Sequence, residues 1–574
     1  MKRLALACAI VCVLSAAFAA DQHFAYPKPQ KSNQTDAYFG TKVADPYRGL
    51  ENADSPATKK WIEAENKITY DYLGKIPEQE KINKRLTALW DYEKFGVPFR
   101  EADRYFFAKN TGLQNQSVIY KASALPGEPS VLIDPNTLSK DGTVALSGYA
   151  VPDDGKLFAY GIAVAGSDWQ EWKVRDVESG KDLNDDLKWI KFSGASWTHD
   201  GSGFFYSRYD QPKGSGEHLQ ETNFFHKLYF HKIGTPQTQD ELIYENKDHK
   251  DWLFGATVTE DGAYLVIVVS KGSDPKNQIF YKDLLHPDSN VVELLNKQDA
   301  TYDFIGNEGN VFWFRTNLNA PKARIVAIDV QDPDEMKEVL PEGDDTLESV
   351  SLVGNLFVAT YLKDARSAVR LFEVNGKSAG EIALPGLGTV TGFTGKRKDT
   401  ETFYSYTSFT EPPTIYRYDF KSGQSSALFR PKVDFKSNDY TTEQVFYQSK
   451  DGTRVPMFLT YKKGLEKNGE NPTLLYGYGG FDISITPSFT PRDAVWLEMG
   501  GVYAVANLRG GGEYGEEWHL AGTKERKQNV FDDFIAAGEW LIANKYTSTP
   551  KLAISGRSNG GLLVGACLTQ RPDL

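Results

Sequence analysis

The sequence predicts two folds in one chain, a seven-bladed β-propeller followed by an α/β domain. At 574 residues, of which 40% are hydrophobic, the chain exceeds the size of one hydrophobic core. Between about residues 95 and 429, short alternating strands separated by Asp-Gly and Asn-Gly turns recur as seven similar units. After Lys432 the strands alternate with helices, which is typical of an α/β sheet.

The first 19 residues have the pattern of a secretory signal peptide. A basic start precedes an apolar run over residues 4–18, and small residues precede Asp21. The run of about 15 apolar residues is shorter than the ~20 that span a bilayer, so a signal peptide is favoured over a membrane anchor. We therefore expect a secreted or periplasmic protein without a membrane span after cleavage. Its one remaining cysteine, Cys567, leaves no internal disulfide.

Residues 20–85 are predicted to form a short helical segment. Ser55 precedes Pro56 as a helix start, and apolar residues follow with a spacing close to 3.6.

Residues 86–432 are predicted to form the propeller. The clearest units contain "DDGKLFAY", "HDGSGFFY" and "EDGAYLVI", each with a turn followed by a strand. Weaker copies begin at Gly309, Gly354 and Thr400, and the first unit begins at Asp103. A set of β-sandwiches is the alternative, because the repeat is degenerate and has no WD signature.

Residues 433–574 are predicted to form the α/β domain. A hairpin with an Asp451-Gly452 turn is followed by strands over 473–476, 502–506 and 552–555. A helix is predicted over 530–543 with Asn529 as its N-cap, and a second helix follows the last strand.

Composition and spacing exclude several classes of function. The net charge of −12 and the lack of a dense basic run argue against nucleic-acid binding. The histidines are too irregularly spaced for a metal site, so no metal is expected. The glycine run 510–512 lacks a following Lys-Ser/Thr and is interpreted as a turn, and no cofactor is expected.

The pattern Gly556-x-Ser558-x-Gly560 predicts a nucleophilic serine. It follows an apolar strand and opens a helix, which is the setting of a nucleophile elbow. The alternative is a glycine-rich loop with an idle serine. An elbow needs two oxyanion donors, and the Asn559 N–H and the Tyr478 phenol in "LLYGYGGFDISI" are the candidates. Tyr478 could otherwise be a packing aromatic.

Several segments resemble one enzyme family. "YGYGGFDISITPSF", "MGGVYAVANLRGGGEYGEEWH", "KQNVFDDFIAAGEWLI" and "GRSNGGLLVGACLTQRPDL" resemble successive segments of the catalytic domain of the prolyl oligopeptidase family. "DPYRGLEN" and "NTGLQNQSVIY" resemble its N-terminal and first-blade segments, so the likeness runs from about Tyr26 to Leu574. Gly49 stands where the family usually has tryptophan.

The resemblance implies a fold and an activity. It implies a seven-bladed propeller that caps a three-layer α/β/α hydrolase domain, with residues 20–85 packing on that domain. It implies a serine endopeptidase that cleaves short peptides after proline through an acyl-enzyme, with the propeller as a size filter. Ser558 then resembles the nucleophile, Tyr478 and the Asn559 N–H the oxyanion hole, and Phe481 a residue lining the substrate subsites. The family is often cytosolic, and a monomer is expected.

The expected partners of Ser558 do not follow it in the sequence. In α/β-hydrolases the order is Ser, then Asp, then His, but only Asp573 and no histidine follows Ser558. We therefore expect a C-terminally incomplete hydrolase domain and an inactive chain as printed, with His519 as the only candidate for a substitute base. A propeller that acts as a binding module, or a sibling oligopeptidase of different specificity, are the alternatives.

Overall fold

The computed structural model describes residues 24–212 and 223–574. The predicted signal peptide, residues 1–19, lies outside this part, so export stays a prediction. The chain divides into two compact units, Met1–Thr87 and Ala88–Leu574. No helix in the described ranges is long and apolar enough to cross a membrane.

The first unit contains a hairpin, one helix and most of a second helix, whose last three residues belong to the second unit. These elements are β1 (Thr35–Tyr38), β2 (Thr41–Ala44), α1 (Pro56–Leu73) and α2 (Gln79–Trp90). The Ser55 hydroxyl accepts the Thr58 N–H at 3.2 Å, and Pro56 occupies the first helical position, so the predicted helix start is confirmed. The hairpin was not predicted. The packing of residues 20–85 on the α/β domain stays a prediction.

The second unit begins with a propeller built from antiparallel sheets. Its first sheet contains β3 (Lys94–Phe95), β4 (Phe99–Glu101), β5 (Arg104–Asn110), β6 (Val118–Ala122) and β7 (Ser130–Ile133). An eight-stranded sheet follows, with β8 (Val144–Ala150), β9 (Leu157–Val164), β10 (Gln170–Asp176), β11 (Asp182–Ile190), β12 (Ser196–Trp197), β13 (Gly203–Arg208), β14 (Lys227–Lys232) and β15 (Glu241–Glu245).

Four four-stranded sheets complete the propeller. The first two contain β16 (Trp252–Val258), β17 (Tyr264–Lys271), β18 (Asn277–Asp283) and β19 (Val292–Leu295), then β20 (Tyr302–Glu308), β21 (Val311–Thr316), β22 (Arg324–Asp329) and β23 (Asp332–Leu340). The last two contain β24 (Thr346–Val353), β25 (Leu356–Lys363), β26 (Arg366–Glu373) and β27 (Ser378–Ile382), then β28 (Thr389–Thr394), β29 (Glu401–Thr407), β30 (Thr414–Asp419) and β31 (Gln424–Phe429).

The number of sheets differs from the predicted number of blades. Seven units were expected as seven sheets, but the described strands of the propeller form six. The difference arises because β11 and β13 share one residue pair, Ile190 with Arg208, which joins two units into the eight-stranded sheet.

The repeat seen in the sequence has a local physical cause. Three hairpin turns between the first two strands of a unit place a glycine at φ of +67°, +67° and +72°, which favours glycine; these are Gly155, Gly201 and Gly262. The aspartate before each glycine accepts the N–H two residues later, at 3.0, 3.0 and 3.1 Å; these are Asp154, Asp200 and Asp261. Each Asp-Gly pair therefore specifies its own turn.

The propeller closes on itself through contacts between its first and last sheets. Phe95 stacks on Phe429 with ring centroids 4.3 Å apart. The Tyr105 hydroxyl donates to Glu401 at 2.6 Å. These contacts join β3 and β5 to the last sheet, so strands distant in sequence complete the ring.

The α/β domain is built on a five-stranded sheet with the order β32-β33-β35-β34-β36. The strands are β32 (Tyr440–Gln448), β33 (Arg454–Lys462), β34 (Thr473–Tyr476), β35 (Val502–Ala506) and β36 (Leu552–Ser555). The first two form the predicted antiparallel hairpin, and β34 pairs in parallel with both β35 and β36. The three remaining strand predictions are confirmed.

Four helices accompany this sheet: α3 (Pro491–Glu498), α4 (Glu516–Leu520), α5 (Gln528–Ala543) and α6 (Asn559–Gln570). Phe534 and Leu541 of α5 and Leu563 of α6 are buried with Leu475 in one core on one sheet face. On the opposite face, Tyr503 packs against Phe409 of the propeller.

The helix predictions need correction in two respects. Helices α3 and α4 were not predicted. The Asn529 cap was wrong, because α5 begins at Gln528 and the Asn529 amide instead donates to the Ala521 carbonyl at 2.9 Å.

Candidate active site

The sheet brings three loops together at the carboxyl ends of its parallel strands. Tyr476, the last residue of β34, pairs with Ser555 of β36 and with Val505 of β35. The Gly477 N–H continues this ladder by donating to the Ser555 carbonyl at 3.2 Å. The chain segments after these strands therefore leave the sheet side by side, at the edge where open α/β sheets bind ligands.

The segment after β36 has the geometry of a strained turn. Ser558 has φ 53° and ψ −118°, an uncommon conformation for a residue with a side chain. A Cβ at Gly556 would lie 2.2 Å from the Gly560 carbonyl oxygen, so this turn requires glycine at Gly556. The serine side chain is exposed at the start of α6. Within the described ranges, its hydroxyl makes no hydrogen bond.

The segment after β34 lies against this turn. A Cβ at Gly560 would approach the Gly477 carbonyl oxygen to 2.7 Å, and one at Gly480 would approach the Asn559 amide nitrogen to 2.5 Å. The Asn559 side-chain amide donates to the Tyr478 carbonyl at 2.6 Å. The structure therefore brings Tyr478 and Asn559, 81 residues apart in sequence, into direct contact.

Phe481 lines the cavity next to these two loops. Its side chain is 64% exposed, and its backbone φ is +55°. The cavity has a volume of 410 Å³ and is also lined by Asn559, Asp482, His519 and Lys527. Phe481 and Asn559 therefore face the same space.

His519 makes its bonds to the neighbouring loops. Its Nδ1 lies 2.8 Å from the Gly510 carbonyl oxygen and 3.1 Å from the Asp482 backbone nitrogen. It makes no hydrogen bond to Ser558 in the described part of the chain. The same part contains no group of three or more His, Cys, Asp or Glu side chains that could hold a metal ion.

A buried ion cluster supports the loop after β35. Arg509 donates to both carboxylate oxygens of Asp533, which is completely buried, and to Asp451 at 2.5 Å. The Arg509 backbone N–H also donates to Asp533 at 3.1 Å. Hydrogen bonds from Arg509 lower the pKa of Asp451 to about 2. The cluster fixes α5 and the β32–β33 hairpin to the start of the glycine run.

Glu513 holds the segment that follows Phe481. One carboxylate oxygen accepts the Ile485 N–H at 2.9 Å and the Asn507 amide at 3.3 Å. Burial raises the pKa of Glu513 to about 7. Its second oxygen is buried without a hydrogen-bond partner among the described residues.

Four residues of this region were missed by the sequence analysis as parts of the site: Arg509, Glu513, Lys527 and Asp533. Arg509 and Glu513 flank the glycine run 510–512, which was recognised only as a turn. Charged residues on either side of a glycine-rich turn were the available signal. Lys527 precedes α5 and gave no separate signal in the sequence.

Comparisons with known families match most of the chain. Residues 26–430 match the family described as prolyl oligopeptidase, N-terminal beta-propeller domain. Residues 487–574 match the prolyl oligopeptidase family.

Curated relatives and solved structures agree with this match. The chain is 45% identical to the prolyl endopeptidase of Elizabethkingia meningoseptica, over 96% of this chain and 77% of the relative. It is 44% identical to the prolyl endopeptidase of Elizabethkingia miricola, over 100% of this chain and 81% of the relative. The structure is similar to prolyl oligopeptidase B of Galerina marginata bound to a 35mer hydrolysis and macrocyclization substrate, with a TM-score of 0.90 and 33% identity over 95% of this chain and 80% of that one.

Proposed function

The chain belongs to the prolyl oligopeptidase family, and from that premise we propose that it acts as a serine endopeptidase that cleaves short peptides on the carboxyl side of proline. The curated relatives are named prolyl endopeptidases. The observation that carries the proposal for this chain is the contact between the Ser558 turn and the Tyr478 loop, made by the Asn559 amide at 2.6 Å. This contact joins the loop that carries Tyr478 to the turn that carries Ser558 and Asn559, which supports the proposal.

In the proposed reaction, Ser558 Oγ attacks the carbonyl carbon of the proline while a histidine base takes the hydroxyl proton. The carbonyl oxygen becomes negative and accepts hydrogen bonds from the Asn559 N–H and the Tyr478 phenol. Collapse of this intermediate breaks the C–N bond, and the base returns the proton to the leaving amine. Water then hydrolyses the acyl-enzyme by the same steps.

The base and its carboxylate are proposed to lie outside residues 1–574. His519 is bonded to Gly510 and not to Ser558. We call a protein that includes this base and carboxylate the full-length protein. We expect it to be active, and we expect residues 20–574 alone to show negligible turnover. Equal turnover by the two would make His519 the first residue to substitute.

We also propose that the propeller has seven blades and filters substrates by size. Within the eight-stranded sheet, a buried cluster containing Trp172, Leu187, Trp197 and Phe204 lies between β8–β11 and β12–β15. Similar clusters lie between the other neighbouring units; Phe158 with Phe106, for example, joins the first sheet to the second. The eight strands then count as two blades.

We further propose a role for Phe481 in substrate binding. Phe481 faces the cavity that would hold the substrate residues before the scissile bond.

The experiment uses the full-length protein and a chromogenic Gly-Pro peptide. We expect Ser558→Ala to abolish both cleavage and labelling by a serine-directed phosphonate, whereas Ser548→Ala keeps both. Labelling of the Ser558→Ala variant would exclude Ser558 as the nucleophile. A short peptide with an internal proline should be cut while a folded protein with an exposed proline is not, and equal cleavage would contradict the size filter.

A further inference from the structure

Lys527 connects the two loops that carry the proposed oxyanion donors. Its ammonium donates to the Gly479 carbonyl at 2.7 Å and to the Asn559 side-chain oxygen at 3.2 Å. The Asn559 amide nitrogen in turn donates to the Tyr478 carbonyl at 2.6 Å. A lysine can only donate hydrogen bonds, so this chain of bonds also fixes the orientation of the Asn559 amide.

The backbone around this link has little room for another arrangement. Gly479 has φ +63°, and a Cβ there would lie 2.3 Å from Val530 on the first turn of α5. Lys527 directly precedes α5. Its bonds therefore hold three parts together as one unit: the start of this helix, the Gly479 turn and the Asn559 side chain. A shift of Lys527 would therefore move both loops.

The charge of Lys527 is not neutralised nearby. The side chain is half-buried, and its ammonium makes no ion pair in the described part of the chain. Burial lowers the pKa of Lys527 below that of an exposed lysine. Its partners here are a carbonyl and an amide, which carry no charge, so a net positive charge lies where the Gly479 loop meets the Asn559 side chain.

We propose that Lys527 is a positioning residue of the oxyanion hole: it holds the Tyr478 loop and the Asn559 turn in register and adds positive potential where the substrate oxygen becomes negative. This inference rests on the proposed function. A preorganised donor set stabilises the transition state without reorganisation, so the contribution of Lys527 should appear mainly in kcat.

The test compares Lys527→Met, Lys527→Arg and Asn559→Ala in the full-length protein. Lys527→Met removes the charge at similar length, and Asn559→Ala cuts the link while keeping the backbone N–H. The readouts are kcat, KM and the affinities of a peptide prolinal and the matching alcohol. The aldehyde adds to Ser558 Oγ, the base takes the hydroxyl proton, and the carbonyl oxygen becomes an oxyanion; the alcohol cannot react.

We expect Lys527→Met to lower kcat about 10- to 100-fold, less than loss of a direct donor. The same substitution should weaken the binding of the aldehyde by a similar factor, and it should change the affinity of the alcohol less than about threefold. Lys527→Arg should recover part of the loss. The exposed Lys551→Met is the matched control and should behave as wild type.

The possible outcomes have different meanings. Unchanged kcat in Lys527→Met, or equal weakening of aldehyde and alcohol, would overturn the role of Lys527 while leaving the peptidase proposal intact. If Lys527→Met does not fold, wild-type aldehyde affinity in Asn559→Ala would overturn it instead. A wild-type protein that neither cleaves the peptide nor binds the aldehyde would refute the peptidase proposal itself.

Discussion

The propeller and the α/β domain are built from contacts of different range. In the propeller, β25 pairs with β26 so that Leu356 lies opposite Glu373, a separation of 373 − 356 = 17 residues. In the α/β domain, β34 pairs with β36 so that Thr473 lies opposite Leu552, a separation of 552 − 473 = 79 residues. The blades are therefore specified locally, whereas the candidate site depends on distant segments meeting at one sheet edge.

The two regions also bury charge differently. In the propeller, His231 is completely buried between Asp185 at 2.9 Å and Asp240 at 2.7 Å. In the α/β domain, Arg509 is buried against Asp533 and Asp451. Arginine stays charged at all accessible pH values, but histidine does not. The Arg509 cluster should therefore keep its charge pairing between about pH 6 and 10, whereas the His231 cluster should not.

The largest effect is expected from breaking the Arg509 cluster. Asp533→Ala leaves the buried Arg509 guanidinium with the half-exposed Asp451 as its remaining carboxylate partner among the described residues, which should cost about 3 to 5 kcal/mol of stability. Hydrogen exchange should then increase in β33–β36 and stay unchanged in the blades.

The control for this prediction is a pair in the propeller whose carboxylate is exposed. Glu338 pairs with Arg324 at 2.8 Å, and Glu338→Ala should cost less than about 1 kcal/mol. A similar loss from the two substitutions would contradict the contrast between the regions.

The same contrast explains how much the sequence could predict. The turns at Gly155 and Gly201, and strands such as 473–476, are determined by neighbouring residues and were predicted. The Ser558 turn was also found, because its strand, glycines and helix are contiguous. Lys527 and Asp533 were not found as parts of the site, because their roles depend on contacts with Asn559 and Arg509, which lie 32 and 24 residues away. No local pattern encodes such a contact.

A smaller effect, on rate rather than stability, is expected at Tyr478. Tyr478→Phe in the full-length protein should lower kcat about 10²- to 10³-fold with little change in KM, because one oxyanion donor is lost. Tyr476→Phe, two residues earlier on β34, is the matched control and should keep its activity. An unchanged kcat in Tyr478→Phe would assign that side chain to packing.

The His231 cluster should show a dependence on alkaline pH that the Arg509 cluster lacks. Burial alone would lower the pKa of His231, but hydrogen bonds and charges from Asp185 and Asp240 outweigh it and raise the pKa to about 9. The Tyr206 hydroxyl donates to Asp240 at 2.6 Å, and burial raises the pKa of this tyrosine, so it stays protonated. His231 is thus the group that titrates in this cluster at mildly alkaline pH.

The sign of the effect follows from the raised pKa. The unfolded chain has a histidine pKa near 6.5, so the stabilisation by His231 is complete below about pH 6.5 and is lost as the pH rises through about 9. The loss should be about 3 kcal/mol, which corresponds to a pKa of about 9 in the folded chain against one near 6.5 in the unfolded chain. We expect the stability difference between wild type and His231→Gln, measured by urea unfolding from pH 6 to 10, to shrink over this range.

His226 in the same blade is the control. Burial lowers the pKa of His226 to about 4, so this histidine is neutral from pH 6 to 10, and the stability difference for His226→Gln should not vary with pH. Parallel pH profiles for the two variants would show that His231 is neutral in the folded blade and that its two carboxylates are held by other means.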